Sequence, residues 1–215
     1  MPVKPTFIAF TGVDSAETIS AMQALSRHFP IEWGILVDDA KDDRLFADPD
    51  VRARLLEASG VRYAAHVCGE QAGLIANSPA DATIDLAGFQ RLQVNHGFSG
   101  STAEQVESCV RFGRSQAIRT MLQTLGAFPD DARLDWLYDV SFGTGKTPES
   151  WPAMAACGPF CGFSGGIDAH NAASVVQAIA APQGSQYWID MESGVRTDGR
   201  FDLAKCEAVC RAVFG

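Results

Sequence analysis

Residues 134–147 read LDWLYDVSFGTGKT, residues 160–168 read FCGFSGGID and residues 187–195 read YWIDMESGV. Each segment is a short apolar run that ends on an aspartate or a glycine pair. Runs of four or five apolar residues bounded by turn residues fit strands buried on both faces. The same rhythm extends toward the N-terminus. Strands are predicted at Phe7–Thr11, Trp33–Val37, Tyr63–Val67, Leu92–Val94, Ile118–Leu122, Leu134–Tyr138, Phe160–Phe163 and Tyr187–Met191. Helical spacing lies between them. Ile19, Met22 and Leu25 mark a helix over residues 15–28, and Asp48-Pro49 supplies an N-cap and first-turn proline for the next. Ser101-Thr-Ala-Glu104 reads as a capping box, and Leu203, Cys206, Cys210 and Val213 share one face of a closing helix. Residues 69–88 form a looser region with room for extra helical turns. Strand and helix alternating about eight times predict a parallel sheet closed into a single (β/α)8 TIM barrel, one domain over residues 1–215.

The composition narrows the function. The chain has 215 residues, 47% hydrophobic and 20% charged, with a formal net charge of −9. An acidic chain is a poor partner for nucleic acid or an anionic membrane. No stretch approaches the roughly 18 apolar residues of a membrane span, and the first residues show no basic-then-apolar leader. A cytoplasmic location is therefore expected. Cys206 and Cys210 fall on an apolar helix face, and Cys157 and Cys161 lack a CxxC spacing. No metal and no cofactor are expected from them.

In such a barrel, an aspartate closing a strand points into the mouth where chemistry occurs, and Asp139 and Asp190 do so. Glycine pairs after a strand let backbone N–H groups approach an anion, as at Gly165-Gly166 and Ser193-Gly194. GTGKT (143–147) is not a Walker loop, because the first glycine of that motif falls at Val140.

Taken in order, these segments resemble phosphoribosylanthranilate isomerase, the aldose–ketose isomerase of tryptophan biosynthesis. The family pattern is LLD, GGTGKTFDW, GGL followed by PENV, and DVSSGVE. Here those read LYD, FGTGKTPESW, GGI followed by DAHNA, and DMESGVR. The family's Lys-Asp turn before its last helix is matched by Arg200-Phe201-Asp202. The match covers residue 134 to the end. Upstream it thins. The family's KICG corresponds to Ala9-Phe10-Thr11-Gly12, with Thr11 in place of the catalytic cysteine. Its KR pair corresponds to Asp43-Arg44, and its QLHG to Gln93-Val94-Asn95-His96-Gly97.

The resemblance implies an Amadori rearrangement of a small phosphorylated ribose derivative, by a monomer or homodimer. It puts the general acid at Asp139 and the general base at Thr11. It puts substrate contacts at Arg44, Gln93, His96, Gly165, Gly166, Asp190, Ser193 and Gly194. A threonine hydroxyl is neutral and cannot take the place of a thiolate base. Three explanations stand open. The base has moved, with Cys68, Asp14 and Asp38 as candidates; the substrate is a different phosphorylated compound; or the site binds without turnover. Plainer readings accompany each residue. Asp139 caps its loop, Arg44 belongs to the solvated run 38–44, Lys146 supports its loop, and the glycines serve as turns. His66 and Cys68 alternate onto one face of their strand.

Overall fold

Residues two apart in a strand face the same side, and the eight strands sort their side chains accordingly. The computed structural model describes residues 2–38, 40–41, 45–97, 99–141 and 143–215. The barrel strands are β1 (Phe7–Thr11), β2 (Ile31–Val37), β3 (Tyr63–Val67), β4 (Arg91–Val94), β5 (Arg119–Thr124), β6 (Asp135–Tyr138), β7 (Cys161–Ser164) and β8 (Tyr187–Met191). They pair in parallel in chain order, and β8 closes on β1. The predicted closure is thus observed, with β2 and β4 beginning earlier than expected and β5 displaced from 118–122 to 119–124.

One set of residues fills the barrel interior: Phe7, Ala9, Met121, Leu137 and Trp188, with Phe160 packed against them. The alternate set, including Ile8, Phe10, Trp33, Ile35, Leu92, Trp136 and Ile189, faces the outer layer. Gly162 makes the interior possible, since a Cβ there would overlap the Trp188 indole.

The helices are α1 (Ile19–Ser26), α2 (Pro49–Leu56), α3 (Gly69–Asn77), α4 (Ala103–Ser115), α5 (Ala172–Ile179) and α6 (Leu203–Phe214). Asp48 caps α2 as expected, its carboxylate accepting from Val51 N at 2.9 Å. The capping box of α4 lies one residue later than the sequence suggested. Thr102 accepts from Gln105 N, and the Gln105 side chain accepts from Thr102 N.

The expected eightfold alternation is corrected at two connections. Among the described residues, no helix joins β5 to β6 or β6 to β7. The first connection is short and contains Gly126 and Pro129; the second is broken by Gly143, Gly145, Pro148, Pro152 and Pro159. Neither glycine nor proline sustains a helix interior. Aromatic side chains cover the outer face instead. The rings of Phe128 and Trp151 meet Phe163 at 5.2 and 6.0 Å.

The floor of the barrel is ionic. Arg91, 2% exposed, reaches Glu32 at 3.0 Å and Asp135 at 3.2 Å. Its guanidinium lies 4.2 Å from the Trp188 ring centroid. Arg62 and Arg119 reach the same two carboxylates from the outer end, at 2.8 and 2.7 Å.

Candidate active site

At the C-terminal ends of the strands the interior opens into a cavity of about 520 Å³, a volume suited to a small organic ligand. Its wall is the continuation of the inward-facing rows. Thr11 ends β1, His66 lies on β3 with Cys68 just past it, and Gln93 lies on β4 with Asn95 just past it. Gln123 comes from β5, Asp139 from the residue after β6, Ser164 from β7 and Asp190 from β8.

Asp139 stands just past β6. Its Oδ1 accepts from Ser141 N and Ser141 Oγ, both at 2.8 Å, and its Oδ2 accepts from Gln123 Nε2 at 3.2 Å. The carboxyl is therefore oriented by the first residues of its own loop and by the neighbouring strand.

On the other side, Thr11 Oγ1 donates to Asp190 Oδ1 at 2.9 Å, both residues being buried. Burial, and then the nearby carboxylates of Asp139, Glu32 and Glu192, raise the Asp190 carboxyl to about 8; the Thr11 hydroxyl acts in the opposite sense. Its Oδ2 has no hydrogen-bond partner. Two more buried cavity atoms share that condition, His66 Nε2 and Gln93 Oε1. Buried polar atoms without partners are uncommon, and three around one cavity mark where a ligand would be recognised. Burial, reinforced by the Arg91 charge, lowers His66 to about 3, so its imidazole is neutral. Gly34 separates it from Thr11: a Cβ there would lie 2.6 Å from Thr11 Oγ1 and 3.0 Å from His66 Nε2.

The remaining wall is glycine loop. Gly143, Gly145, Gly165, Gly166 and Ser193 all line the cavity. Gly166 has φ +60°, and a Cβ there would strike Gly145 O and Thr147. The loop after β7 is braced by Asn171, which donates to Gly166 O at 2.7 Å and accepts from Asp168 N at 2.9 Å.

The structure sorts the sequence candidates. Asp139, Thr11, Cys68, Gln93, His96, Gly165, Gly166, Asp190 and Ser193 meet around this cavity. Gly194 does not belong to its wall. A Cβ there would overlap the Ile167 carbonyl, so this glycine lets the loops after β7 and β8 touch. Arg44 lies outside the described residues. Lys146 is not on the wall, while Lys41 and Asp38 are.

Of the candidate bases, Asp14 is spent in an ion pair with Arg196 at 2.8 Å and in accepting from Phe201 N. Burial raises the Cys68 thiol, offset in part by the Asn95 amide. Its sulfur lies 3.4 Å from Asn95 Nδ2 and 3.8 Å from the His66 carbonyl, not in a thiolate–imidazolium pair. His96 pairs with Ser101 Oγ at 2.8 Å, and burial lowers its affinity for a proton.

The sequence reading missed Gln123, Asn95, Ser141, Ser164 and Glu192. Strand alternation could have found Gln123, two residues from the inward Met121, had β5 been placed correctly. Among the described residues, no group of three or more His, Cys, Asp or Glu side chains is arranged to hold a metal ion.

A closed parallel barrel with a glycine-walled mouth defines the structural class. No protein-family model matches the chain, and no curated protein does. Solved structures do match over nearly the whole length. Phosphoribosylanthranilate isomerase from Thermotoga maritima superposes with a TM-score of 0.63 at 13% identity, covering 97% of this chain and 98% of that one. The Pyrococcus furiosus enzyme gives 0.61 at 16% identity, covering 97% and 98%. The Thermococcus kodakaraensis enzyme gives 0.58 at 14%, covering 99% and 100%. The chain thus has the fold of these isomerases, in agreement with the resemblance of its loop sequences.

Proposed function

We propose that this chain is an aldose–ketose isomerase of the phosphoribosylanthranilate isomerase type, acting on a phosphorylated ribose derivative. The observation that carries the reading is the meeting of Asp139 with Gly165, Gly166 and Ser193 around one cavity. In this reading, backbone N–H groups of the loops after β7 and β8 hold the phosphate. Asp139 protonates the ribose ring oxygen, the ring opens to an iminium, and a base removes the C2 proton. The resulting enolamine rearranges to the ketone. No cofactor enters this chemistry.

Among the described residues, no helix is long and apolar enough to cross a membrane, and the reading places the enzyme in the cytoplasm. The Thermotoga maritima protein is described as dimeric, which makes a homodimer the first alternative to a monomer here.

A second reading has one observation in its favour. Thr11 donates a hydrogen bond to Asp190 and is no thiolate, so a phosphate-ligand barrel without turnover fits the same pocket. Turnover of freshly generated phosphoribosylanthranilate, compared with an Asp139→Asn control, separates the two. The isomerase reading requires loss of the anthranilate-type fluorescence by the wild type alone. Product binding without turnover selects the second reading.

A further inference from the structure

We propose that Asp190 is the proton-accepting group of this site and that Thr11 positions it. The inference deepens the isomerase reading and rests on it. Asp190 is paired with Ala9 in the β1–β8 register, so its carboxyl rises along the barrel wall beside Thr11. Its Oδ1 is one hydrogen bond, 2.9 Å, from the Thr11 hydroxyl. That hydroxyl occupies the place that the resemblance gives to the family's basic sulfur. Oδ2 of the same carboxyl is buried and has no hydrogen-bond partner. Thr11 therefore fixes one oxygen while the other is left for a ligand or a proton.

The surroundings suit a base of neutral pH. Asp139 just past β6, Glu32 on β2 and Glu192 just past β8 are the other carboxyl groups that act on Asp190, and the reacting form carries its proton on Asp139 and its charge on Asp190. Neutral His66 on β3, with Asp38 and Lys41 from the β2 loop, lines the same cavity. Burial and these neighbouring carboxyl groups make the Asp190 carboxylate a stronger base than an exposed one. The alternatives are spent, as shown for Asp14 and Cys68. Asp38 sits at the rim, where its Oδ1 accepts from Ala40 N at 3.2 Å and its carboxylate packs on Gly69.

The step balances without an oxidant or reductant. Asp139 gives its proton to the ring oxygen, the C1–O bond breaks, and the nitrogen lone pair forms C1=N. Next the C2–H bond breaks and its proton goes to Asp190 Oδ2. The released pair forms C1=C2, and the C=N pair returns to nitrogen. The enolamine then gains a proton at C1 and loses one from its C2 hydroxyl. Asp139 and Asp190 recover their starting protonation through solvent.

The test combines turnover with a readout that needs none. Asp190→Asn should lower kcat at least a hundredfold, the lower end of general-base contributions, while product binding persists. Asp190→Glu should restore part of the loss. Thr11→Val should cost about tenfold, the worth of one hydrogen bond, and shift the ascending limb of the pH–rate profile. In parallel, carboxyl-¹³C-aspartate NMR, with Asp190→Asn for assignment, should show one carboxyl titrating near 8. Wild-type turnover with an active Asp190→Asn variant, or with Asp190 titrating as an ordinary carboxylate, overturns the assignment and leaves the isomerase reading intact. No wild-type turnover, with the high titration present, removes the isomerase reading and keeps the proton-accepting carboxyl.

Discussion

Replacing Arg91 by methionine removes the cation from the barrel floor and keeps much of its aliphatic volume. Glu32 and Asp135 are then left at 1% and 3% side-chain exposure. Arg62 and Arg119, each more than two-fifths exposed, still reach one oxygen of each carboxylate. Glu32 Oε1 loses its 3.0 Å donor. The contact to Asp135 is an ion pair whose N–H direction falls short of a hydrogen bond, because Arg91 Nε has no hydrogen-bond partner.

Breaking a buried pair from one side costs about 3–5 kcal/mol. The stacking on Trp188, with Phe7 and Phe160 nearby, adds about 0.5–2 kcal/mol. The two outer arginines offset part of this, so a total of about 3–5 kcal/mol is expected. For a domain of this size that lowers Tm by roughly 6–20 °C. Burial already raises Glu32 above its ordinary value, and Arg91 acts against that rise. Without Arg91 the rise is larger. A raised carboxyl contributes its stability below the unfolded pKa and loses it as pH increases, so the variant should suffer more at pH 8 than at pH 5. Urea unfolding followed by tryptophan fluorescence measures both effects. The triple variant Arg91→Met, Glu32→Gln, Asp135→Asn should recover most of the loss. A loss below about 1 kcal/mol, or one equal at both pH values and unrecovered in the triple variant, refutes the reasoning.

Gly194→Ala should push the β8 loop off the Ile167 carbonyl, costing about 1–3 kcal/mol as overpacking does. Inorganic phosphate affinity, measured by calorimetry, should fall with it. Cys68→Ser should keep turnover within about threefold of wild type in the isomerase assay, since a hydroxyl can replace a neutral thiol at these contacts. His66 is neutral when folded and titrates near 3, against 6.5 in an unfolded chain. Its contribution is therefore complete above pH 6.5 and is lost as pH falls toward 3. His66→Phe should flatten that acid slope in chemical denaturation, and an unchanged slope would contradict the burial of a neutral imidazole.

The fold was legible because most strands are short apolar runs in regular order with turns and helical patterns; β4 (RLQV) and β5 (RTMLQT) are at least half polar and were the least legible. The two absent helices were legible too, in the prolines and glycines of 125–134 and 139–160, but the expectation of regular alternation concealed them. Site residues that close strands, Asp139 and Asp190, followed from barrel geometry alone. Gln123 was lost because β5 was ended at Leu122, one residue short of it. Thr11 lines the cavity, and its hydrogen-bond partner was not legible in the sequence. Its partnership with Asp190 joins residues 179 apart in sequence, and only the β1–β8 closure brings them together. At Gly194 the sequence shows a glycine after a strand and not the neighbour it must admit, the Ile167 carbonyl.

The central claim is tested most directly by adding freshly generated phosphoribosylanthranilate to purified wild-type protein and to its Asp139→Asn variant, and following the fluorescence. The account predicts turnover by the wild type and a loss of at least a hundredfold in the variant, the contribution of a positioned general acid. Equal rates in the two proteins, or no turnover by a folded wild type that binds the product, would contradict it.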